Sequence, residues 1–222
     1  DCQDLKEQGN IVDGYYLMTT DYGLERRVFC SMDIGGTVIL RHSRGGLDFN
    51  RNWAEYKAGF GATGASTDLW YGLENLSLDT YVNSGTATYT LRVDLTANDG
   101  TGFEAEYANF KVAPEVYGYQ LITTGFLGGS AGNALLSIPD TSAGNMRFST
   151  LDDDNDKDVN GHCPDRHKGG WWFNACSDSC LTCPMIPDGQ TSADLCTSGL
   201  CTGWRTLGDI TFQNVMMTII RN

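Results

Sequence analysis

"MRFSTLDDDNDKDVNGHCPDRHKGGWWFNAC", residues 146–176, crowds five aspartates into seven positions and then sets two cysteines around a pair of adjacent tryptophans. The two halves have opposite needs: the aspartates require water or a cation, and the indole rings require a core. In an extended segment, residues i, i+2 and i+4 point the same way. Asp152, Asp154 and Asp156 are therefore expected to converge on one point, where their repulsion calls for a hard cation. Oxygen-only donors suit Ca²⁺, which takes about 6 to 8 of them. The spacing is not that of an EF-hand, because counting from Asp152 puts Lys157 at the glycine position and Cys163 at the twelfth. The competing reading of the run alone is a solvated acidic loop. Trp171 and Trp172 read as packing residues that fix the same segment to a sheet.

The rest of the chain narrows the choice. At 222 residues and 41% hydrophobic content it can bury a proper core. Its 28 acidic against 15 basic residues give a formal charge of −13. That field repels phosphate backbones and anionic membranes, so nucleic-acid binding is excluded as an expectation. No run of about 18 apolar residues exists, so membrane insertion is not expected. The eight cysteines, an even number, read as four disulfides in an oxidising compartment. Zinc is the rival for Cys180-x-x-Cys183 with Cys196 and Cys201, but in a chain otherwise patterned for disulfides the bridges are preferred. The start at Asp1-Cys2, without an apolar leader, fits a processed or trimmed chain. Asn75-Leu76-Ser77 is a glycosylation sequon.

Along the chain, Thr37 to Leu40 reads as a buried strand. Trp53, Tyr56 and Phe60 recur at helical spacing before Gly59 and Gly61 end the pattern. Asp68 to Leu76 reads as a second helix, with Leu69, Leu73 and Leu76 on one face and Thr67 or Asp68 as N-cap. Tyr89, Leu91, Val93 and Leu95 alternate with polar residues, a strand with one wet face. Asn98-Asp99-Gly100 supplies the turn to a hairpin partner, Phe103 to Val112. Tyr117 to Thr123 reads as a further strand. Beyond Gly125 the texture turns to Gly, Ser, Asp and Asn, a loop-built lobe. The fold class is α+β in one domain, 1–222, with an N-terminal lobe to about residue 40, a central sheet to about 140 and a ligand lobe over 141–222.

The stretches "VFCSMD" (28–33), "LDFNRNWAEYKAGFG" (47–61), "LWYGLENL" (69–76), "YTLRVDL" (89–95), "AGNALL" (131–136), "MRFSTLDDDNDKD" (146–158) and "GGWWFNAC" (169–176) run in order over nearly the whole chain. Together they resemble the fibrinogen C-terminal globular domain shared by fibrinogen chains, ficolins, tachylectins and angiopoietins. The resemblance implies an N-terminal disulfide lobe, a central mainly antiparallel sheet with short flanking helices, and a loop-rich C-terminal lobe for calcium and ligand. It also implies the disulfides Cys2–Cys30 and Cys163–Cys176. There are departures. "GGTVILRH" (35–42) lacks the usual tryptophan, and the end of the chain lacks its second one. One residue is added between Asp156 and Cys163. The Asn-Leu-Asn-Gly motif usual after the second disulfide is replaced by Ser177 to Met185, with Cys180, Cys183, Cys196 and Cys201 as extra cysteines.

What the family implies for the site is specific. Asp154 and Asp156 give carboxylate oxygens to Ca²⁺, and the backbone carbonyls of Asp158 and of Asn160 or Gly161 complete the shell with water. The ligand pocket lies beside that loop. His167 falls at an aromatic or acidic pocket position with Arg166 beside it. Ala175-Cys176 falls where a cis peptide often turns its amides to the ligand, Ser177 replaces the usual histidine, and Trp204 closes the other side. A neutral acetyl group or sugar suits such a site, while Arg166 and His167 would favour an anionic sugar.

The expected function is a secreted, calcium-dependent, lectin-like domain binding acetylated or other glycans on microbial surfaces in innate immunity. It could form a homo-oligomer in a full-length protein. The alternative is a module that holds a peptide end or a cell-surface receptor. Gly128-Gly129-Ser130-Ala131-Gly132 formally fits the G-x-S-x-G elbow of hydrolases. In a chain this rich in glycine, on a segment that also carries the family match, an enzyme is not expected.

Overall fold

The computed structural model of the chain describes residues 1–19, 23, 25–61, 68–82, 84–85, 87–136, 143–187 and 201–222. A first helix, α1 (Cys2–Glu7), is capped by Asp1 and Asp4 and is tied to the sheet by the Cys2–Cys30 disulfide. The strands β1 (Gly14–Thr19), β2 (Glu25–Ser31) and β3 (Gly36–Ser43) follow as antiparallel neighbours. Helix α2 (Trp53–Ala58) starts at a capping box between Asn52 and Glu55, where each side chain satisfies the other residue's amide. Short strands β4 (Phe60–Gly61) and β5 (Leu69–Trp70) then bring the chain back to β3. Helix α3 (Leu73–Ser77), β6 (Tyr89–Ala97) and β7 (Gly102–Ala108) complete the first half.

The wet-and-dry alternation expected of β6 is present: Leu91, Val93, Leu95 and Ala97 are buried while the residues between them are half-exposed. The two-stranded pair β8 (Lys111–Val112) and β9 (Leu121–Ile122) and the edge strand β10 (Gly125–Gly128) follow. In the last third come α4 (Cys163–His167), the pair β11 (Ser179–Cys180) and β12 (Gly203–Trp204), and finally β13 (Phe212–Arg221). The sheet order is β1-β2-β3-β13-β6-β7-β10, so the C-terminal strand is inserted at the centre between β3 and β6. Fold class and N-terminal disulfide agree with expectation.

Three local expectations are corrected. Residues 68–76 are not one helix. Leu69 and Trp70 pair with Leu40 and Arg41 of β3, and the helix begins only after Gly72, whose φ of 99° interrupts any helix through it. Asp68 does not cap it, because its carboxylate accepts from the Ser43 amide and hydroxyl and from the Leu47 amide. Thr67 lies outside the described residues. The hairpin partner of β6 stops at Ala108, since Asn109 takes a positive φ of 50° before β8. Within 117–123 only Leu121 and Ile122 are strand. Glu115 to Tyr117 form a single tight turn that ends at Gly118.

One apolar cluster runs from Ile39 to Ile219 and joins the sheet to the last third of the chain. At its middle, Phe148 meets the ring of Trp172 edge-on at 5.0 Å, and Tyr56 and Trp70 pack against Phe148. Trp171 and Trp172 are fully buried, and the Trp172 indole donates to the Tyr119 carbonyl at 2.7 Å. The adjacent tryptophans therefore fasten the acidic segment to the sheet, as packing residues. The sequon asparagine has a structural use too: the Asn75 amide donates to the Tyr71 carbonyl and accepts from Arg26. Among the described residues no helix is long and apolar enough to cross a membrane.

Candidate functional site

The acidic segment enters from the core at Phe148 and is held at its base by paired backbone hydrogen bonds between Ser149 and Trp171. Beyond Asp153 it is wound by its own aspartates. Asp154 accepts from the Asp156 amide, Asp156 from the Asp158 amide and Asp158 from the Asn160 amide, at 3.2, 2.8 and 3.0 Å. These consecutive side-chain turns are what short acidic side chains do in preference to helix or strand. The other Asp156 oxygen accepts from the Cys163 amide at 2.7 Å, which anchors the loop to the start of α4.

The carboxylates do not all converge. Asp152 is drawn away: it accepts from the Trp53 amide at the start of α2 and from the Thr150 hydroxyl, each at 2.8 Å. Asp154 and Asp156 do come together, and the third member of their group is His162, with donor atoms all within 4.8 Å of one another. His162 was not singled out from sequence. Its signal was its position six residues after Asp156, immediately before a cysteine. Its Nε2 donates to the Thr150 carbonyl at 3.0 Å. Burial, and then the charge of Asp154, hold the Asp156 carboxyl above the usual aspartate range, although two backbone amides oppose the shift.

Asp158 behaves differently. Its carboxylate accepts from the Asn160 amide and pairs with Arg166 at 2.9 Å, which lowers its pKa. Its contribution beside Asp154 and Asp156 is therefore limited to its carbonyl. Asp158 also lies near the sulfurs of Cys163 and Cys176. Those sulfurs are bonded to each other and are not metal donors. Among the described residues no lysine or arginine pairs with Asp154 or Asp156. Two adjacent carboxylates without a lysine or arginine partner, beside a His162 ring whose Nε2 is turned to the Thr150 carbonyl, fit a hard cation.

Beside the loop, α4 and the β11–β12 pair enclose a cavity of about 190 Å³. His167, Ser177 and Trp204 all line it, together with Asp178, Cys180 and Arg205. The His167 ring stacks 5.2 Å from Phe173. Trp204 is buried, and its indole donates to the carbonyls of Ala131 and Gly132, so it forms floor rather than lid. Asp178 and Arg205 pair at 2.7 Å, with side chains 5% and 57% exposed. This pair was missed in the sequence. Its only signal was a lone acid in the stretch that replaces the family motif.

Arg166 is not at this cavity. Successive residues on a one-turn helix diverge by about 100°, so His167 faces the cavity while Arg166 reaches back to Asp158 and to the Cys176 sulfur at 3.6 Å. Ala175 and Cys176 are not among its lining residues either. The peptide between them is cis, and the bend is tied to the acidic loop because the Lys157 amide donates to the Asn174 carbonyl.

The extra cysteines are bridged where they are described. Cys180 pairs with Cys183, which removes the zinc alternative for that pair, and Cys201 is disulfide-bonded. Cys196 lies outside the described residues. The hydrolase-like segment does not assemble. Ser130 accepts from the Glu104 amide, while the three histidines are engaged at Leu181, Thr150 and Phe173.

Comparison with known proteins follows the same outline. The sequence model for the C-terminal globular domain of fibrinogen beta and gamma chains matches residues 1–220. The mouse fibrinogen gamma chain is 34% identical over 223 residues, covering 93% of this chain and 50% of the relative. Rat fibrinogen-like protein 1 is 37% identical over 191 residues, covering 82% of this chain and 59% of the relative. The chain thus spans about half the length of the curated relatives it matches. Among solved structures, a lamprey fibrin D-dimer complexed with the peptide Gly-His-Arg-Pro-amide superposes with a TM-score of 0.87 at 30% identity, covering 99% of this chain and 72% of that one. The fibrinogen-like globe domain of human ANGPTL2 gives 0.82 at 32% identity, covering 99% and 97%.

Proposed function

The chain belongs to the family of fibrinogen C-terminal globular domains, and from that premise we propose that it is a calcium-dependent, lectin-like recognition domain for neutral glycans, acetylated ones above all. In fibrinogen and angiopoietin-like proteins this domain is a ligand-binding module, and the family is non-enzymatic. The observation that carries the finer reading is the cavity beside the acidic loop, whose one buried charge, Asp178, is already neutralised by Arg205. Such a site favours an uncharged ligand with an apolar face and a few hydrogen-bonding groups. Arg166, the cation that would have drawn an anionic sugar, is committed to Asp158.

Ca²⁺ would be held by the carboxylates of Asp154 and Asp156, with the carbonyls of Asp158 and of Asn160 or Gly161. Its chemistry there is charge neutralisation, which lets the two carboxylates sit together. The Cys163 amide on Asp156 then transmits the order of the loop to α4 and His167. The setting is extracellular, on microbial surfaces, in keeping with the disulfides.

A second reading is favoured by one observation: the lamprey fibrin D-dimer, similar over 99% of this chain, is complexed with a peptide. A peptide end would place its ammonium against Asp178. A glycan array read in millimolar Ca²⁺ and again in EDTA separates the two. Calcium-dependent binding to acetylated glycans supports the lectin. A blank array with saturable binding of Gly-His-Arg-Pro-amide establishes the peptide module in its place.

A further inference from the structure

A second cavity, of about 220 Å³, lies between the end of β3 and the segment 182–185 and shares no lining residue with the first. Its floor is His42, 4% exposed, with the Phe49 ring 4.3 Å away. His42 Nδ1 lies 2.9 Å from the Leu181 carbonyl. A carbonyl only accepts, so the proton is on Nδ1 and, in the neutral ring, Nε2 keeps a lone pair. Burial lowers the His42 pKa, which keeps the ring neutral at pH 7. Among the described residues nothing donates to Nε2. The hydroxyls beside it are spent: Thr182 donates to the Gly170 carbonyl and Ser43 to Asp68. Nε2 is not one of the acceptors sealed in the core, and on a residue that lines the cavity it is open to a donor that enters there.

We propose that this cavity is a second ligand site, for a small aromatic ring that carries one hydrogen-bond donor, a phenol or an indole. The donor goes to His42 Nε2, and Phe49, Leu47 and Met185 hold the ring by offset stacking and thioether contact. A sugar fits less well, because it brings hydroxyls on every side to a wall that Leu47, Phe49, Pro184 and Met185 make partly apolar. The size is adequate, since an apolar cavity of about 150 Å³ takes benzene. Gly45 and Gly46 form the mouth without side chains. Gly46 is required there, because a Cβ would stand 1.7 Å from an Asp68 oxygen. Asp48 and Lys168, exposed and of opposite charge, flank the entrance.

The test is an NMR titration of the labelled protein with phenol and, separately, with toluene, which has the same ring without the donor. Working in EDTA keeps the result independent of the calcium reading. Saturable shifts are expected at the His42 ring nitrogens and at the Leu47 and Met185 methyls, with phenol at least fivefold tighter than toluene. His42→Phe should bring phenol to the affinity of toluene. Leu47→Trp, at a half-buried rim position, fills the cavity and should abolish the shifts for both probes in a protein that melts like wild type. The proposal is overturned if folded wild type shows no saturable shift at His42, or if toluene binds as tightly as phenol.

Discussion

Changing Tyr56 to phenylalanine removes a single oxygen, yet it should cost the domain more than most core substitutions of that size. The Tyr56 side chain is fully buried on α2. Its hydroxyl donates to the Phe49 carbonyl at 2.7 Å and accepts from the Gly170 amide at 3.0 Å. Phenylalanine keeps the ring and its contacts with Trp70 and Phe148, at 5.3 and 5.0 Å, so little apolar packing is lost. What remains is a carbonyl and an amide in a region closed to water. An unsatisfied buried group costs about 1–3 kcal/mol. Two of them, less the relief of burying no hydroxyl, give about 2–4 kcal/mol. For a domain of this size that is roughly 4–16 °C in melting temperature. Equilibrium urea unfolding followed by tryptophan fluorescence and by circular dichroism measures it. The loss should also be local, because Gly170 precedes the Trp171 backbone that pairs with Ser149. Amide protection at Ser149 and Trp171 should fall before that of β6 and β13. A destabilisation below about 0.5 kcal/mol would mean that the two groups find other partners, and the reasoning would fail.

Five further outcomes are expected. Ca²⁺ at a hundred times its Kd should stabilise wild type by about 2.7 kcal/mol, and Asp154→Asn or Asp156→Asn should abolish that response in a melting assay; an identical wild-type curve in EDTA and in millimolar Ca²⁺ would remove the site. His167→Ala should weaken glycan binding about tenfold, some 1.4 kcal/mol, without moving the melting temperature. Arg166→Ala should spare pocket affinity in saturating Ca²⁺ and instead loosen the acidic loop, as seen in amide exchange at 156–161; equal effects of both variants on affinity would place Arg166 at the ligand after all. Opening Cys163–Cys176 with a paired serine substitution frees a bridge of sequence separation 13, and should cost about 3 kcal/mol in denaturant unfolding; a loss within error would show that the core alone holds α4. Burial holds the His42 pKa below the ordinary histidine value, despite the opposing Leu181 hydrogen bond and the charge of Asp68. The unfolded chain therefore binds the extra proton first, and stability should fall as pH drops from about 6.5 towards 5. A His42→Phe variant that kept the whole of this slope would assign it elsewhere.

The signals that were legible in the sequence are local ones. Alternation along 89–97 fixes which face of β6 is buried, because a strand's side chains point in turn to opposite faces whatever surrounds them. The capping box of α2, which the sequence reading left out, spans four adjacent residues and needs no tertiary help. Leu69, Leu73 and Leu76 failed as a helical face because their spacing serves equally a strand ending at Trp70 and a helix starting after Gly72. Pairing with β3 decided between them, and no window around residue 70 contains that partner. The acidic run divides in the same way. Its winding by successive aspartates is local and readable. The loss of Asp152 to an amide 99 residues away is not.

The charge of the candidate pocket is decided by two pairings of this non-local kind. In sequence, Arg166 and His167 stand together as a basic step beside a disulfide. Folded, they point about 100° apart on one short helix, Asp158 takes the arginine, and Arg205 arrives from a segment 27 residues beyond Asp178 to neutralise the one buried acid. The exposed arm of that second pair faces solvent and is weakly held, as surface ion pairs are. The buried arm is the consequential one, since a carboxylate left alone at that depth would recruit a cation. Neutral glycan and peptide ammonium are thus separated by whether Arg205 stays on Asp178 when ligand enters. A sugar leaves the pair intact, whereas a peptide end must displace the guanidinium to reach the acid.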